Sequence, residues 1–379
     1  MTARTRPEAP ELVVVGRFVD DEVGPHANAW EQAEEIPDDV RRRVAELGLW
    51  APFLPVESGG AGMDMVTLGR VHEEVGRGCS SLRSLLTVHT MVTATVERWG
   101  DDEQRERWLP ALAAGDTLGA FCLTDPDFSG SDATAAGTVA VADHGSWTLT
   151  GRKKWITGGR RAGLLLVFAH TANGMTAFLV PADHPGVRVT PVRHVLGTTA
   201  SMLATIEFDD VRLDPDALVG PPGWAAGTVM TGALDLGRYS VACGSVGIIR
   251  GALAASAAYT SARSAGGGLL RDLPQIRAKI SDMVTARDAA RLLCEKAGRL
   301  KDAGDPATIM ATWVAKYFAS TAAARAASDA VQIHGANGCG PDYPVARLYR
   351  DAKVMEIIEG STQIQELTIA DEAYREVSG

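Results

Sequence analysis

The chain has 379 residues, 46% hydrophobic and 22% charged, enough for two or three domains with sizeable buried cores. Its 37 basic against 47 acidic residues leave a net charge of −10, which argues against nucleic acid as a partner and means that any anionic ligand needs a local cationic patch. The scattered cysteines (Cys79, Cys122, Cys243, Cys294, Cys339) form no CxxC pair, so no disulfide framework or metal site is expected, and a reduced, cytoplasmic setting is.

No segment reads as a signal peptide or a membrane span; the first apolar run, Leu12 to Val15, is too short. Residues 1–10 read as disordered. From Pro37 to Gly115 the apolar period predicts helices over Val40–Leu49, Val66–Val75 and Leu82–Trp99. Asp101 and Asp102 cap a further helix through Leu109–Leu112, and the glycine-rich loop Pro55–Asp64 punctuates the region. From Gly119 to Gly220 the period shortens. Trp147–Thr150, Leu164–Ala169, Thr176–Val180, Val187–Val192 and Leu203–Phe208 read as strands between turn clusters, which predicts a compact β-barrel or sandwich. From Trp224 onward alanine-rich helices return, over Leu234–Ala262, Pro274–Leu300, Pro306–Gly335 and Tyr343–Ile358, and favour a closely packed bundle. The expected fold class is α+β, mostly α: an N-terminal helical domain (1–118), a middle β-domain (119–222) and a C-terminal helical bundle (223–379).

The string EGSTQIQ, Glu359 to Gln365, follows the apolar pair Ile357–Ile358. Gly360 breaks one helix, and Thr362 with Gln365 reads as a capping box that starts the next. Glu359 therefore sits at a helix break beside an apolar wall, which raises a carboxylate's pKa and suits a general base; a solvated glutamate at a helix end is the plain alternative. No GxGxxG follows a strand, and no GxxxxGK[ST] or HExxH occurs, so a nucleotide cofactor needs another kind of site.

Four further strings carry weight. AFCLTDPDFSGSD, Ala120 to Asp132, gathers hydroxyls (Thr124, Ser129, Ser131) after an apolar strand and can offer donors to a flavin edge or a pantetheine amide; a surface turn has the same composition. In GRKKWITGG, Gly151 to Gly159, Trp155 can cover an isoalloxazine and Thr157 donate to it, although a lone tryptophan is by default core. QIHGANGCG, Gln332 to Gly340, lets backbone approach a ligand or simply ends a helix, and His334 reads as a hydrogen-bonded loop residue. In LDLGR, Leu234 to Arg238, Asp235 can accept from an amide and Arg238 can lie buried beside an acid.

In this order, across the whole chain, these strings resemble the acyl-CoA dehydrogenase family. The resemblance implies a helical domain, a β-domain and a four-helix bundle. FAD would lie between the last two, reaching a neighbouring subunit of a homodimer or homotetramer. It assigns Glu359 as the base that removes the α-proton of an acyl thioester while the β-hydride passes to flavin, with the Glu359 N–H on the thioester carbonyl. Thr124, Trp155 and Thr157 match flavin-ring positions, and Ser361 and Gln363 match cofactor contacts. Gln332, Gly335 and Ala336 match the segment that meets the partner's FAD, and Arg263 a pyrophosphate cation. Ser131, which also falls in the cofactor loop, Asp235 and Arg238 match substrate-side positions. The alternative base position of some members is Gly237 here, which leaves Glu359. Substrates would be thioesters of CoA or acyl carrier protein, and electrons would go to a flavoprotein or to oxygen.

The departures are as informative. The first loop is one residue longer than the usual TEPxxGSD and has Asp125 for the glutamate. Gly266 stands for an aromatic after Arg263, Pro274 for a glutamine, and Gly158 for an asparagine. The pair Arg160–Arg161 either solvates a turn or forms a cationic patch for a phosphate or an acidic carrier. These divergent loops look more like biosynthetic, polyketide-pathway members than fatty-acid oxidation enzymes. A monooxygenase, a nitroalkane-type oxidase or a non-catalytic binding protein on the same fold are the alternatives, and the presence of Glu359 speaks against each.

Overall fold

A computed structural model describes residues 11–132 and 135–378; the disorder expected of residues 1–10 lies outside them. The chain opens with helices too short to show a period, α1 (Leu12–Phe18) and α2 (Ala27–Ala33), joined by a π turn at Val19–Val23. Val15, Phe18, Val23 and Trp30 bury them in one core with Leu68, Val71, Val75 and Leu82. Then come α3 (Asp38–Glu46), α4 (Met65–Gly78), α5 (Ser80–Trp99) and α6 (Asp102–Ala114). Asp64 caps α4 by accepting from Thr67 N at 2.7 Å, and Asp101 with Gln104 closes a full capping box on α6.

The β-domain comprises β1 (Gly119–Cys122), β2 (Val139–Asp143), β3 (Ser146–Ile156), β4 (Leu164–Thr171), β5 (Gly174–Pro181), β6 (Val187–Pro191), β7 (Ala204–Leu213) and β8 (Leu218–Val219). They form one sheet in the order β6-β7-β3-β2-β4-β5-β8, with β1 added in parallel to β4. Strand β4 shows why the β-domain sits where it does. Its alternate residues face opposite sides: Leu165, Val167 and Ala169 enter the core inside the sheet, while Leu164, Leu166 and Phe168 enter the cluster shared with Met91, Val92 and Met230 of the helices. A strand buried on both faces reads as a continuous apolar run, as this one does.

The C-terminal part holds α7 (Val229–Ala262), the hairpin strands β9 (Ser264–Ala265) and β10 (Gly268–Leu269), then α8 (Pro274–Asp302), α9 (Thr308–His334), α10 (Val345–Ile357) and α11 (Thr362–Ser378). Buried alanines such as Ala290, Ala297, Ala315, Ala319 and Ala323 let α7, α8 and α9 approach closely. By length and composition α7 could cross a bilayer, which the sequence reading did not credit; 61% of its apolar window is buried inside the molecule, at the centre of the bundle.

The three parts are tied by acids. Glu31 of α2 accepts from Ser81 of α5 and from Thr199 N and Oγ1, and Asp351 of α10 accepts from Thr198 N at 2.7 Å. The turn at 198–201, which leads into β7, is thereby pinned among α2, α5 and α10.

Candidate active site

Helix α10 ends at Ile357. Ile358 turns extended, and Glu359 takes a left-handed φ of 56° before Gly360 at 92°. A left-handed glutamate is strained and persists only where its surroundings hold it. Three donors do so: Arg238 Nε gives to Glu359 O at 3.1 Å, while Lys316 Nζ and Gln365 Nε2 give to Gly360 O at 2.7 and 3.0 Å. The expected capping box is not formed. Ser361 Oγ, not Thr362, accepts from Ile364 N at 3.5 Å, because Gln365 turns back to the Gly360 carbonyl. The Glu359 N–H donates to no group of the described residues.

The strained turn aims the Glu359 carboxyl inward. Its Oε2 is buried without a hydrogen-bond partner, and burial pushes the acid up to about 7 although Arg238, Lys316 and Arg83 all pull it down. Gly237 makes room for it: a Cβ there would fall 2.6 Å from Glu359 Cδ, closer still to Oε2, and 3.0 Å from Met91 Sδ. Position 237 thus lies against the Glu359 carboxyl, and only one of the two can carry a side chain.

Arg238 stacks at 4.0 Å over Trp313 and, through its bond to Glu359 O, holds the turn at Glu359. Asp235 is ion-paired with Lys301, and its other oxygen, Oδ1, is buried without a partner. Lys316 is fully buried, and burial brings its pKa down to about 7.

The first string of the β-domain packs against the same helices. Leu123, just before Thr124, packs into the cluster of Met91, Met230 and Ala233, and Thr124 O accepts from Lys154 N at 2.8 Å. Asp125 is a staple: it pairs with the fully buried Lys153 and accepts from Gly137 N, from Thr138 N at 2.8 Å and from Thr138 Oγ1 at 3.1 Å. Its shorter side chain in place of glutamate is accounted for by that buried pair. The extra loop residue falls outside the staple, where Ser131 is exposed and gives its N–H to Ser129 Oγ at 3.3 Å.

Trp155 is not core. It sits at a register shift of β3 with φ 64°, and the residue is 52% exposed, with Lys154 Nζ 4.8 Å from the ring centroid. The bulge turns the indole out of the sheet. Thr157 follows half-buried, and Gly158 (φ 71°) gives its N–H to Ser201 O at 2.9 Å. A left-handed site accepts either asparagine or glycine, which explains that departure.

Arg263 is exposed at the end of α7. The tight hairpin after it needs left-handed residues at both centres, supplied by Gly266 and Gly267 at φ 61° and 86°, so an aromatic does not fit. Pro274 occupies the first turn of α8. Gln332, Gly335 and Ala336 are exposed at the far end of α9, about 24 Å along the axis from Lys316 at 1.5 Å per residue, so they do not meet Glu359 of their own chain. Ser361 lies two residues after Glu359 as the cap of α11, and Gln363 is exposed. His334 is buried, stacked at 4.2 Å on Tyr259, with Nδ1 on Ala330 O.

Both readings left open for Arg160–Arg161, a solvated turn or a cationic patch, give way to ion pairs with the N-terminal helices. Arg160 gives to Glu34 O at 2.6 Å and to Glu35, and Arg161 holds the same Glu35 carboxylate at 2.5 and 3.1 Å. The pair closes the seam to the N-terminal helices and is not a free cationic patch. Sequence reasoning also missed Arg83, Lys316 and Trp313. The first two carry a legible signal, a lone cation in the apolar runs SSLRSLL and WVAKYFA.

The helices thus hold a buried acid raised to about 7, and the β-domain carries an exposed indole. The chain matches "Acyl-CoA dehydrogenase, N-terminal domain" over residues 13–116, "middle domain" over 120–211 and "C-terminal domain" over 223–374. It is 38% identical to the short-chain specific acyl-CoA dehydrogenase of Bos taurus over 93% of this chain and 86% of that one. Among solved structures it is similar to the butyryl-CoA dehydrogenase of Megasphaera elsdenii (TM-score 0.92, 29% identity, 96% and 97% of the chains). It is also similar to FkbI, described as acting in biosynthesis of the methoxymalonyl extender unit of the Fk520 polyketide (TM-score 0.88, 33% identity, 96% and 99%). The chain belongs to the acyl-CoA dehydrogenase family and is an FAD-dependent oxidoreductase acting on CH–CH bonds.

Proposed function

We propose that the protein oxidises a short acyl thioester to the 2-enoyl thioester, with Glu359 taking the α-proton. Bound FAD supplies the acceptor for the β-hydride. The observation that carries this reading is the buried, unpartnered Glu359 Oε2 with its acid raised to about 7, since such a group holds no proton-bonding partner of its own and is poised to take one from a weak carbon acid. Its free N–H suits the thioester carbonyl. The orphaned Asp235 Oδ1 suits a pantetheine amide. Trp155, Thr124 and Thr157 fit as the wall beside the flavin ring. Ser131, Arg263, Ser361 and Gln363 fit as outer contacts, with Gln332, Gly335 and Ala336 turned to the FAD of a second subunit in a homo-oligomer.

The likeness to a short-chain enzyme and to FkbI supports a short acyl group, carried by CoA or an acyl carrier protein, and a biosynthetic role. An electron-transferring flavoprotein fits as acceptor. Anaerobic addition of short acyl thioesters to the FAD-loaded protein should bleach the flavin with release of the enoyl thioester, seen by mass spectrometry. Bleaching by nitroalkanes alone, or by no thioester, would overturn the reading.

A further inference from the structure

Helix α9 meets the turn at Glu359 twice. Trp313 and Lys316 lie on one face of the helix. Lys316 reaches the turn directly, through its bond to Gly360 O. Trp313 reaches it through Arg238 of α7, whose guanidinium carbon stands 4.0 Å from the indole centroid. Beside them, Tyr317 gives its hydroxyl to Glu366 of α11 at 3.4 Å, so the same helix also holds the segment that leaves the turn.

Among the described residues Arg238 forms no ion pair, and its one hydrogen bond runs from Nε to Glu359 O at 3.1 Å. That is also the one bond that Glu359 O accepts among them. A single bond at Nε leaves the guanidinium plane free to turn about it. The indole face, which attracts the cation across the whole ring, removes that freedom. Two acids compete for the same cation. Asp235 stands one turn before Arg238 on α7 with Oδ1 orphaned, and the Glu359 carboxyl lies against the preceding residue, Gly237. A guanidinium that pairs with either acid leaves Glu359 O, and the left-handed turn at φ 56° loses the donor that offsets its strain. A carboxylate held in an ion pair is also a weaker acceptor for a proton on carbon.

We infer that Trp313 is a positioning residue for the reaction: its indole pins Arg238 on the backbone of Glu359 and off the carboxyl, which keeps the turn of the base wound and its oxygen free. The inference rests on the reading of Glu359 as the base and adds what holds that base in place. Trp313 acts through Arg238 and takes no part in the transfer of proton or hydride.

The test separates the π face from bulk, in the FAD-loaded enzyme with a short acyl thioester that bleaches the wild type. Trp313→Phe keeps an aromatic face, whereas Trp313→Leu fills the space without one. Trp313→Leu should lower kcat for flavin reduction by about 10- to 100-fold, with KM changed by no more than about twofold. Trp313→Phe should stay within a few-fold of wild type. Should the leucine variant fail to fold, Trp313→Met takes its place, since a pliant side chain fits an irregular space. A double variant tests the route: added to Arg238→Gln, Trp313→Leu should cost no more than about a further twofold in kcat, because its effect passes through the arginine. Equal kcat in the leucine and phenylalanine variants, or losses that multiply in the double variant, would overturn the inference and leave the dehydrogenase reading standing. A wild type that no thioester bleaches would overturn both.

Discussion

The seam between the N-terminal helices and the β-domain, and the floor of the active site, are both built from arginines and carboxylates, yet they differ in what is left over. At the seam the charges match: Arg160 and Arg161 share Glu35, Arg193 takes Glu34, and Glu31 is filled by Ser81 and Thr199. On the floor they do not. Arg83, Arg238 and Lys316 surround one carboxyl, and Glu359 Oε2, Arg83 Nε and Asp235 Oδ1 have no partner. Matched charges near water hold domains together at small energies. Unmatched buried groups are costly and remain where a ligand completes them.

The sharpest way to break this contrast is at the base. Glu359→Gln keeps the shape and the backbone N–H, so FAD content and thioester binding should persist while flavin reduction slows by ~100- to 10,000-fold. Stopped-flow reduction within a few-fold of wild type would move the base elsewhere. A buried but matched pair tests the role of burial: Lys153→Met leaves the Asp125 carboxyl without its cation and should cost about 3–5 kcal/mol in thermal or denaturant unfolding. Gly237→Ala forces the Glu359 carboxyl aside and should lower kcat about 100-fold with little change in melting temperature, as misplacement by about 1 Å commonly does.

The pH dependence has two signs. Because Glu359 titrates near 7, flavin reduction should rise with pH through 7 and lose its acid limb in Glu359→Gln. For stability the direction reverses. The folded pKa lies above the ordinary 4.5, so the native state holds the extra proton; the contribution is complete below 4.5 and is lost as pH rises through about 7. Equal slopes of unfolding free energy against pH in wild type and Glu359→Gln would contradict this. The smallest effect belongs to the seam. Arg160→Ala with Arg161→Ala should cost within about 1 kcal/mol per bridge and change KM equally for carrier-bound and truncated thioesters, with no salt-dependent preference. A selective loss on the carrier-bound form would restore a docking role.

Legibility followed periodicity and local chemistry. The long helices around Leu82–Trp99 and Pro274–Leu300 were readable because apolar period and caps agree over many turns. Helices α1 and α2 were not, since so few residues carry no period and the core of α4 and α5 holds them. Strand β2 escaped because only Ala140 of its five residues is buried, so no apolar alternation marks it, although a tight hairpin at His144–Gly145 pairs it with β3. Trp155 read as core by default, and only the bulge in β3 turns it outward.

By itself the sequence determined the helical, β and helical order, the break that presents Glu359 and the exclusion of Gly237 as a base, because each depends on local period or on the presence of a side chain. Only the tertiary structure decided which charges are answered. Glu35 reaches Arg160 and Arg161 from more than a hundred positions away, and Glu359 comes to lie over Gly237 and near Arg83 by the packing of α5, α7 and α10. Ion pairing and desolvation act through distance in space, and composition alone carries no record of that distance.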